Sequence, residues 1–203
     1  MNKKLDQTLQ EISMITINGD RKTILSPFVS YLKQKLDSRE IININFICTH
    51  NSRRSHLAQV WMKTLANHFK IDNIQTYSGG TEATAVATQV IEILKKQGFT
   101  VDVLSKDENP VYAIKYDENS HPIIGFSKKY DHSFNPSSNF AAVMTCSQAD
   151  EGCPFVSGSE QRIAVTYEDP KIADNTAEEL QTYLNRSNQI ASEFYYIFSQ
   201  LNL

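Results

Sequence analysis

The sequence has few cysteines and no long apolar run. It contains three cysteines in 203 residues, an odd and low number that argues against a framework of structural disulfides. No apolar stretch approaches the roughly 20 residues that a membrane helix needs. Residues 1–20 are polar and lack the apolar core of a secretory signal. These absences predict a cytoplasmic protein without a membrane partner, whose thiols are either buried or reactive.

The sequence also lacks a strong charge of either sign. It has 20 Lys and Arg against 23 Asp and Glu, a formal net charge of -3. Such a balance gives no reason to expect nucleic acid as a partner. A hydrophobic content of 40% is typical of a soluble globular protein, and the length suffices for one compact domain.

Apolar segments that alternate with amphipathic ones predict an α/β fold. Strands are predicted at 41–47, 74–77, 99–104, 140–145 and 162–166. Helices are predicted after Ser55, at 86–97 and at 176–201. We therefore expect three layers, with a mainly parallel four-stranded sheet between helices. In such sheets, ligands bind beyond the carboxyl ends of the strands.

Two further segments extend this plan. Residues 1–40 are predicted to form a helical N-terminal extension, with helices at 3–14 and 26–38; Ser26 is the expected N-cap and Pro27 the first helical residue. Residues 41–203 then form the catalytic domain. An insertion at about 105–139 contains a predicted β-hairpin, because 111–116 and 122–126 flank a polar turn.

The first candidate site is the loop between the predicted strand 41–47 and the next helix. It reads Cys48, Thr49, His50, Asn51, Ser52, Arg53, Arg54 and Ser55. Backbone N–H groups and the helix dipole favour an anion in such a loop, and the same field favours the thiolate form of Cys48. Arg54 can hold two oxygens of a tetrahedral oxyanion, and Ser55 can donate to the thiolate. The alternative, a buried core cysteine, fits this strand–loop–helix context less well.

The second candidate site is a pair of cysteines, Cys146 and Cys153, which follows the predicted strand 140–145. The spacing does not match a zinc site, so no metal ligand is predicted, and two incidental thiols remain an alternative. A helix across this segment would separate the two Cα atoms by about 10 Å. A disulfide needs about 4.4–6.8 Å, so the segment must bend or unwind to form one. Gly152 and Pro154 make this easier.

The third candidate is Asp169, which precedes Pro170. A carboxylic acid can protonate the oxygen that sulfur displaces, and Pro170 restricts Asp169 to an extended conformation. Glu168 is the second carboxylate considered for this role. A simple turn remains the alternative interpretation.

The loop from Cys48 to Ser55 resembles the catalytic loop of low-molecular-weight protein tyrosine phosphatases and thioredoxin-coupled arsenate reductases. The segment 77–80 is also similar to theirs. Cys146, Cys153 and Pro154 resemble the resolving segment of the arsenate reductases only, and Asp169-Pro170 resembles the family's general-acid loop. The resemblance covers roughly residues 43–104 and 140–201.

The resemblance implies reduction of arsenate to arsenite without a cofactor. Cys48 would attack an arsenate or phosphate-type oxyanion bound by residues 49–54 and be supported by Ser55. Cys146 would then form a disulfide with Cys48, Cys153 would form one with Cys146, and thioredoxin would reduce it. A phosphatase that uses a cysteinyl-phosphate is the alternative. A non-catalytic oxyanion-binding or redox-sensing module is the third.

Some residues depart from the family's pattern. His50 stands where the family usually has Gly, so His50 either strains the loop or contacts the anion. Arg53 either strengthens anion binding or faces solvent. Gln59 stands where arsenate reductases often have Glu, so the resemblance does not carry over the potassium site found in part of that family.

Overall fold

The computed structural model describes residues 2–153 and 155–201 of the protein. Seven strands are present in these ranges: β1 (Ile42–Cys48), β2 (Ile74–Gly80), β3 (Thr100–Val103), β4 (Tyr112–Lys115), β5 (Ile123–Gly125), β6 (Phe140–Met144) and β7 (Ser159–Ala164). The α-helices of the same ranges are α1 (Lys3–Ser13), α2 (Gly19–Asp37), α3 (Arg54–His68), α4 (Thr88–Lys96), α5 (Ser147–Gly152) and α6 (Glu179–Ser199). A short 3₁₀-helix spans Pro170–Ala173.

The main sheet has four parallel strands in the order β2-β1-β6-β7. Alternate residues of the central strands enter two different apolar clusters. Phe46 of β1 and Val143 of β6 lie in the larger cluster with α2, α3 and α6. Ile47 and Met144 lie in the smaller cluster, which also contains Cys48 and Cys146. Burial on both faces is what a parallel sheet requires, and the predicted α/β architecture is confirmed.

The insertion contributes β4 and β5 to a second, antiparallel sheet in the order β3-β4-β5, in which β3 precedes the insertion. The predicted hairpin is confirmed as β4 and β5. The predicted strand 99–104 is present as β3, but it pairs with β4 and does not join the main sheet. One edge of β3 forms its backbone hydrogen bonds with β4, so β3 belongs to the sheet of the hairpin.

The start of α2 differs from the prediction. The helix begins at Gly19, because the Asn18 side chain caps it by accepting a hydrogen bond from the Arg21 amide. Ser26 is therefore not its N-cap, and Pro27 lies inside the helix. Proline removes one intrahelical hydrogen bond. Apolar burial of neighbouring residues such as Leu25 and Phe28 offsets that loss.

The two N-terminal helices pack into the main core. Phe28 of α2 lies edge-on to Phe46 of β1 and to Phe194 of α6, with ring centroids 6.4 and 6.1 Å apart. Leu5 of α1 is fully buried in the same cluster. Within the described ranges, no helix combines the length and the apolar character needed to cross a membrane.

Candidate active site

The carboxyl ends of β1 and β6 bring Cys48 and Cys146 to the same edge of the sheet. Ile47 is the register partner of Met144, and the Thr145 amide continues the pairing by donating to the Ile47 carbonyl at 2.7 Å. Neighbouring strands lie about 4.8 Å apart. The strand ends therefore place a thiol from each strand at one site, as the sequence predicts for parallel strands.

Hydrogen bonds fix the loop from Cys48 to Ser55 around the Ser55 hydroxyl. The Cys48 sulfur lies 3.1 Å from the Ser55 hydroxyl oxygen. Asn51 Nδ2 donates to that same oxygen at 2.8 Å. Since Asn51 occupies the oxygen as a donor, the Ser55 hydrogen can point to the sulfur and stabilise a thiolate.

The sharp bend of the loop lies at Asn51, which has a φ of 44°. Asparagine tolerates this left-handed conformation better than most residues. His50 is not among the residues with positive φ, so strain at His50 is not observed. The His50 ring lies 3.5 Å from the Glu82 carboxylate, and both side chains are largely exposed.

The insertion supports this loop from outside, which the sequence did not reveal. The Lys128 amide donates to Asn51 Oδ1 at 2.9 Å, and the Ser127 hydroxyl donates to the His50 carbonyl at 2.9 Å. Asn51 thus connects the insertion to Ser55. Fixing the Asn51 amide also fixes the donor that it presents to Ser55.

Beneath the loop lie two buried titratable groups that sequence reasoning missed. His56 Nε2 lies 2.9 Å from the Asn51 carbonyl. Burial, and then the nearby Lys128 ammonium, lower the pKa of His56 to about 3. His56 is therefore neutral at physiological pH, which fits Nε2–H donating to that carbonyl. Burial lowers the pKa of Lys128 to about 8, and its Nζ lies 4.4 Å from the Phe126 ring centroid.

Arg54 and Asp169 face each other across the site. Arg54 Nη2 lies 2.6 Å from Asp169 Oδ2, and Nη1 donates to the Tyr167 carbonyl at 3.0 Å. Arg54 Nε is buried and has no acceptor among the described residues. Asp169 is extended and caps the 3₁₀-helix by accepting from the Lys171 amide. The Asp169 carboxyl is thus anchored beside Arg54, while Glu168 is exposed.

The remaining residues of the loop are Arg53, Thr49 and Ser52. The Arg53 side chain turns away from the loop, since Nε donates to the Tyr183 hydroxyl at 2.6 Å and Nη2 lies 3.1 Å from Asp174. Its backbone amide remains for the predicted anion contact. The Thr49 hydroxyl lies 3.5 Å from the Cys146 sulfur and donates to Gln148 Oε1 at 3.3 Å. Ser52 is buried, and its carbonyl accepts from the Ala87 amide. Oxyanion binding by these residues stays a prediction.

Gln59 lies behind the loop with its amide nitrogen 3.2 Å from the Thr76 carbonyl and 3.3 Å from the Ile124 carbonyl. Gln59 Oε1 is buried and has no donor among the described residues. A neutral amide therefore stands where the resemblance would place a glutamate.

The second cysteine approaches the loop through Thr49. The Cys146 sulfur lies 3.5 Å from the Thr49 hydroxyl and accepts from the Ala149 amide at 3.3 Å as the N-cap of α5. Cys146 is fully buried, whereas Cys153, after the end of α5, is partly exposed. None of the three cysteines forms a disulfide in the structure. The helical segment between Cys146 and Cys153 agrees with the prediction that it must unwind before they can bond.

One residue of β7 holds α5 in its helical form. Arg162 Nε donates to the Cys153 carbonyl at 3.0 Å, and Nη2 donates to the Asp150 carbonyl and pairs with the Asp150 carboxylate. These contacts join the last turn of α5 to the residue that follows it. They must break if Cys153 moves toward Cys146.

A cavity of about 500 Å³ opens beside Arg54. Its walls come from α2, the start of α3, the start of α5, the segment that follows β7, and α6. The lining residues are Arg21, Arg54, Ser147, Gln148, Thr166, Tyr167, Glu168, Asp169, Arg186 and Gln189. Cavities of this size hold small molecules in other proteins.

Comparison with known proteins identifies the family. The family model for low molecular weight phosphotyrosine protein phosphatases matches residues 43–118. Arsenate reductase 2 of Staphylococcus epidermidis is 30% identical over 127 residues, 63% of this chain and 77% of that protein. Arsenate reductase 2 of Staphylococcus haemolyticus is 32% identical over the same shares.

Solved structures share the fold. An arsenate reductase in the phosphate binding state aligns with a TM-score of 0.50 at 17% identity, over 79% of this chain and 99% of that one. A low molecular weight phosphotyrosine phosphatase from Vibrio cholerae aligns with a TM-score of 0.51 at 11% identity, over 78% and 94% of the chains. The protein therefore belongs with the arsenate reductases in the low-molecular-weight protein tyrosine phosphatase-like family of enzymes.

Proposed function

We propose that the protein reduces arsenate to arsenite in the cytoplasm through a relay of three cysteines, and that thioredoxin then returns the cysteines to the reduced state. The observation that carries this proposal is the position of Cys146. Its buried sulfur contacts Thr49 of the nucleophile loop, and its strand neighbours the strand that ends at Cys48. A phosphatase reaction has no need of a second thiol there.

The first step forms a bond between sulfur and arsenic. The Cys48 thiolate attacks arsenate, whose oxygens are held by the loop amides and Arg54. An oxygen leaves as water after it takes a proton from Asp169. Arg54 Nε, which lacks an acceptor among the described residues, is the donor that gains a partner when an oxyanion binds.

The second step transfers two electrons to arsenic. The Cys146 thiolate attacks the Cys48 sulfur, the sulfur–arsenic bond breaks, and its electron pair stays on arsenic, which leaves as arsenite. A disulfide between Cys48 and Cys146 remains. Cys153 then attacks Cys146, which releases the Cys48 thiolate. A dithiol of thioredoxin finally reduces the bond between Cys146 and Cys153.

This relay predicts that Cys146→Ser removes arsenate-dependent turnover. The measurement is NADPH oxidation with thioredoxin and thioredoxin reductase, for the wild type and the variant. We expect at least a 100-fold loss, on the order of what removal of a reacting group costs. Hydrolysis of an aryl phosphate, which needs only Cys48, Arg54 and Asp169, serves as the control and should be unchanged.

Phosphatase activity is the second candidate, favoured by a cavity larger than a single tetrahedral oxyanion fills. If neither the wild type nor Cys146→Ser responds to arsenate and both hydrolyse the aryl phosphate, the enzyme is a phosphatase and the relay is refuted. Turnover of either substrate that depends on Cys48 also removes the non-catalytic alternative.

The contacts of Arg162 with α5 predict that replacing Arg162 shifts the redox potential of the Cys146–Cys153 pair. Its hydrogen bonds stabilise the helical, reduced segment, so Arg162→Gln should make the Cys146–Cys153 disulfide harder to reduce. We expect a potential lower by about 30 mV, equivalent to roughly 1.4 kcal/mol for two electrons. The measurement is equilibration of the Cys48→Ser protein in dithiothreitol buffers, with exposed Arg39→Gln as the matched control. Equal potentials would show that Arg162 does not hold the helix.

A further inference from the structure

Arg186 of α6 is the cavity arginine whose charge is not neutralised by a carboxylate within the described structure. Arg54 pairs with Asp169 at 2.6 Å, and Arg21 pairs with Glu193 at 2.6 Å. Arg186 contacts the neutral amide of Gln189 instead. Its Nε is buried and has no acceptor among residues 2–153 and 155–201.

The charges that face Arg186 do not replace such a partner. Glu168 attracts it electrostatically, but this carboxylate is exposed and the described structure places no oxygen of it within 4.0 Å of the guanidinium. Glu193 is held by Arg21 through two hydrogen bonds. Arg54 repels it. A half-buried cation in this setting gains stability from an anion, because burial without a counter-charge is costly.

The cavity is bordered both by Arg186 and by Arg54, the arginine of the loop from Cys48 to Ser55. Arg54 and Asp169 form one side of it and Arg186 another, so both guanidinium groups border one space of about 500 Å³. A guanidinium holds oxyanion oxygens through directed N–H groups. Positive charge along a cleft also raises the local concentration of anions.

We propose that Arg186 is a second oxyanion-binding arginine, which draws the tetrahedral anion into the cleft and holds one of its oxygens on the α6 side. Arg54 and the loop hold the anion on the Cys48 side. This inference rests on the proposed function only in assuming that a tetrahedral oxyanion binds at the loop.

The test measures binding of inorganic phosphate by calorimetry, in a Cys48→Ser background that prevents chemistry. Arg186→Gln should weaken binding about tenfold, which is the typical effect of losing one charge-assisted hydrogen bond. Arg186→Lys keeps the charge and should weaken it less. Arg39→Gln removes an exposed arginine and should leave binding within about twofold.

The outcomes separate this inference from the function proposed above. If the Cys48→Ser parent does not bind phosphate at all, the oxyanion site itself is refuted. If the parent binds and Arg186→Gln binds equally well, only the role of Arg186 is refuted. A change of equal size in Arg39→Gln would show a general effect of net charge, which also overturns the proposal. Thermal melts confirm folding, and Arg186→Lys decides the question if Arg186→Gln does not fold.

Discussion

Cys48→Ser should abolish both arsenate reduction and aryl phosphate hydrolysis, with a loss of at least about 10³-fold in each rate. We expect both reactions to begin with attack by the same sulfur on a tetrahedral oxyanion, and a serine hydroxyl is a much weaker nucleophile than a thiolate. The assays are coupled NADPH oxidation with arsenate and release of the aryl alcohol.

The structure makes this variant informative, because serine replaces a nearly buried sulfur with a smaller group in a loop held by other residues. Asn51 retains its bonds to Ser55 and to the Lys128 amide. The variant should therefore melt at nearly the wild-type temperature. Residual turnover above one-tenth of the wild-type rate would assign the nucleophile to another group.

Cys153→Ser should stop the enzyme after one turnover. Cys48 and Cys146 remain able to complete the first two steps, so a burst of arsenite is expected, followed by steady turnover lowered by at least about 100-fold. Cys146 is fully buried, which keeps the reductant from the Cys48–Cys146 bond. Cys153 is partly exposed, so a disulfide that includes Cys153 would be accessible to thioredoxin.

Quenched-flow measurement of arsenite gives the size of the burst, and alkylation followed by peptide mapping identifies the trapped disulfide. Cys146→Ser is the matched control, since it should give no burst. Sustained turnover of Cys153→Ser with thioredoxin would contradict the third step while leaving the first two intact.

The inserted segment stabilises the loop from Cys48 to Ser55. Ser127 and Lys128 provide hydrogen bonds to His50 and Asn51, and Lys128 is almost completely buried. Ordering a loop costs conformational entropy. Support from outside the loop supplies that order before the substrate arrives, which is the condition for effective electrostatic stabilisation.

Much of the site follows from local sequence. The run of β-branched residues before Cys48 predicts a buried strand, and the switch to helical periodicity after Ser55 predicts the loop between them. Since the ends of parallel strands meet at one edge of the sheet, Cys146 was also expected near Cys48. These conclusions need only periodicities of a few residues and the topology of parallel sheets.

The tertiary structure decided what depends on distant partners. The Arg53 side chain was assigned to the anion or to solvent, but it binds Tyr183 and Asp174, which lie more than 100 positions along the chain. The bend was expected at His50 and lies at Asn51, whose side chain is fixed by the insertion.

Arg186 gave no local signal either, because an arginine on an amphipathic helix is ordinarily solvated. Its proposed role depends on the packing of α6, which places this residue at the same cavity as Arg54. The amino-acid sequence thus determined which residues are candidates for the chemistry and at which strand ends they lie. Packing decided which charges are paired and which remain for a ligand, because the pairing of charges is set by distances between segments that the local pattern does not encode.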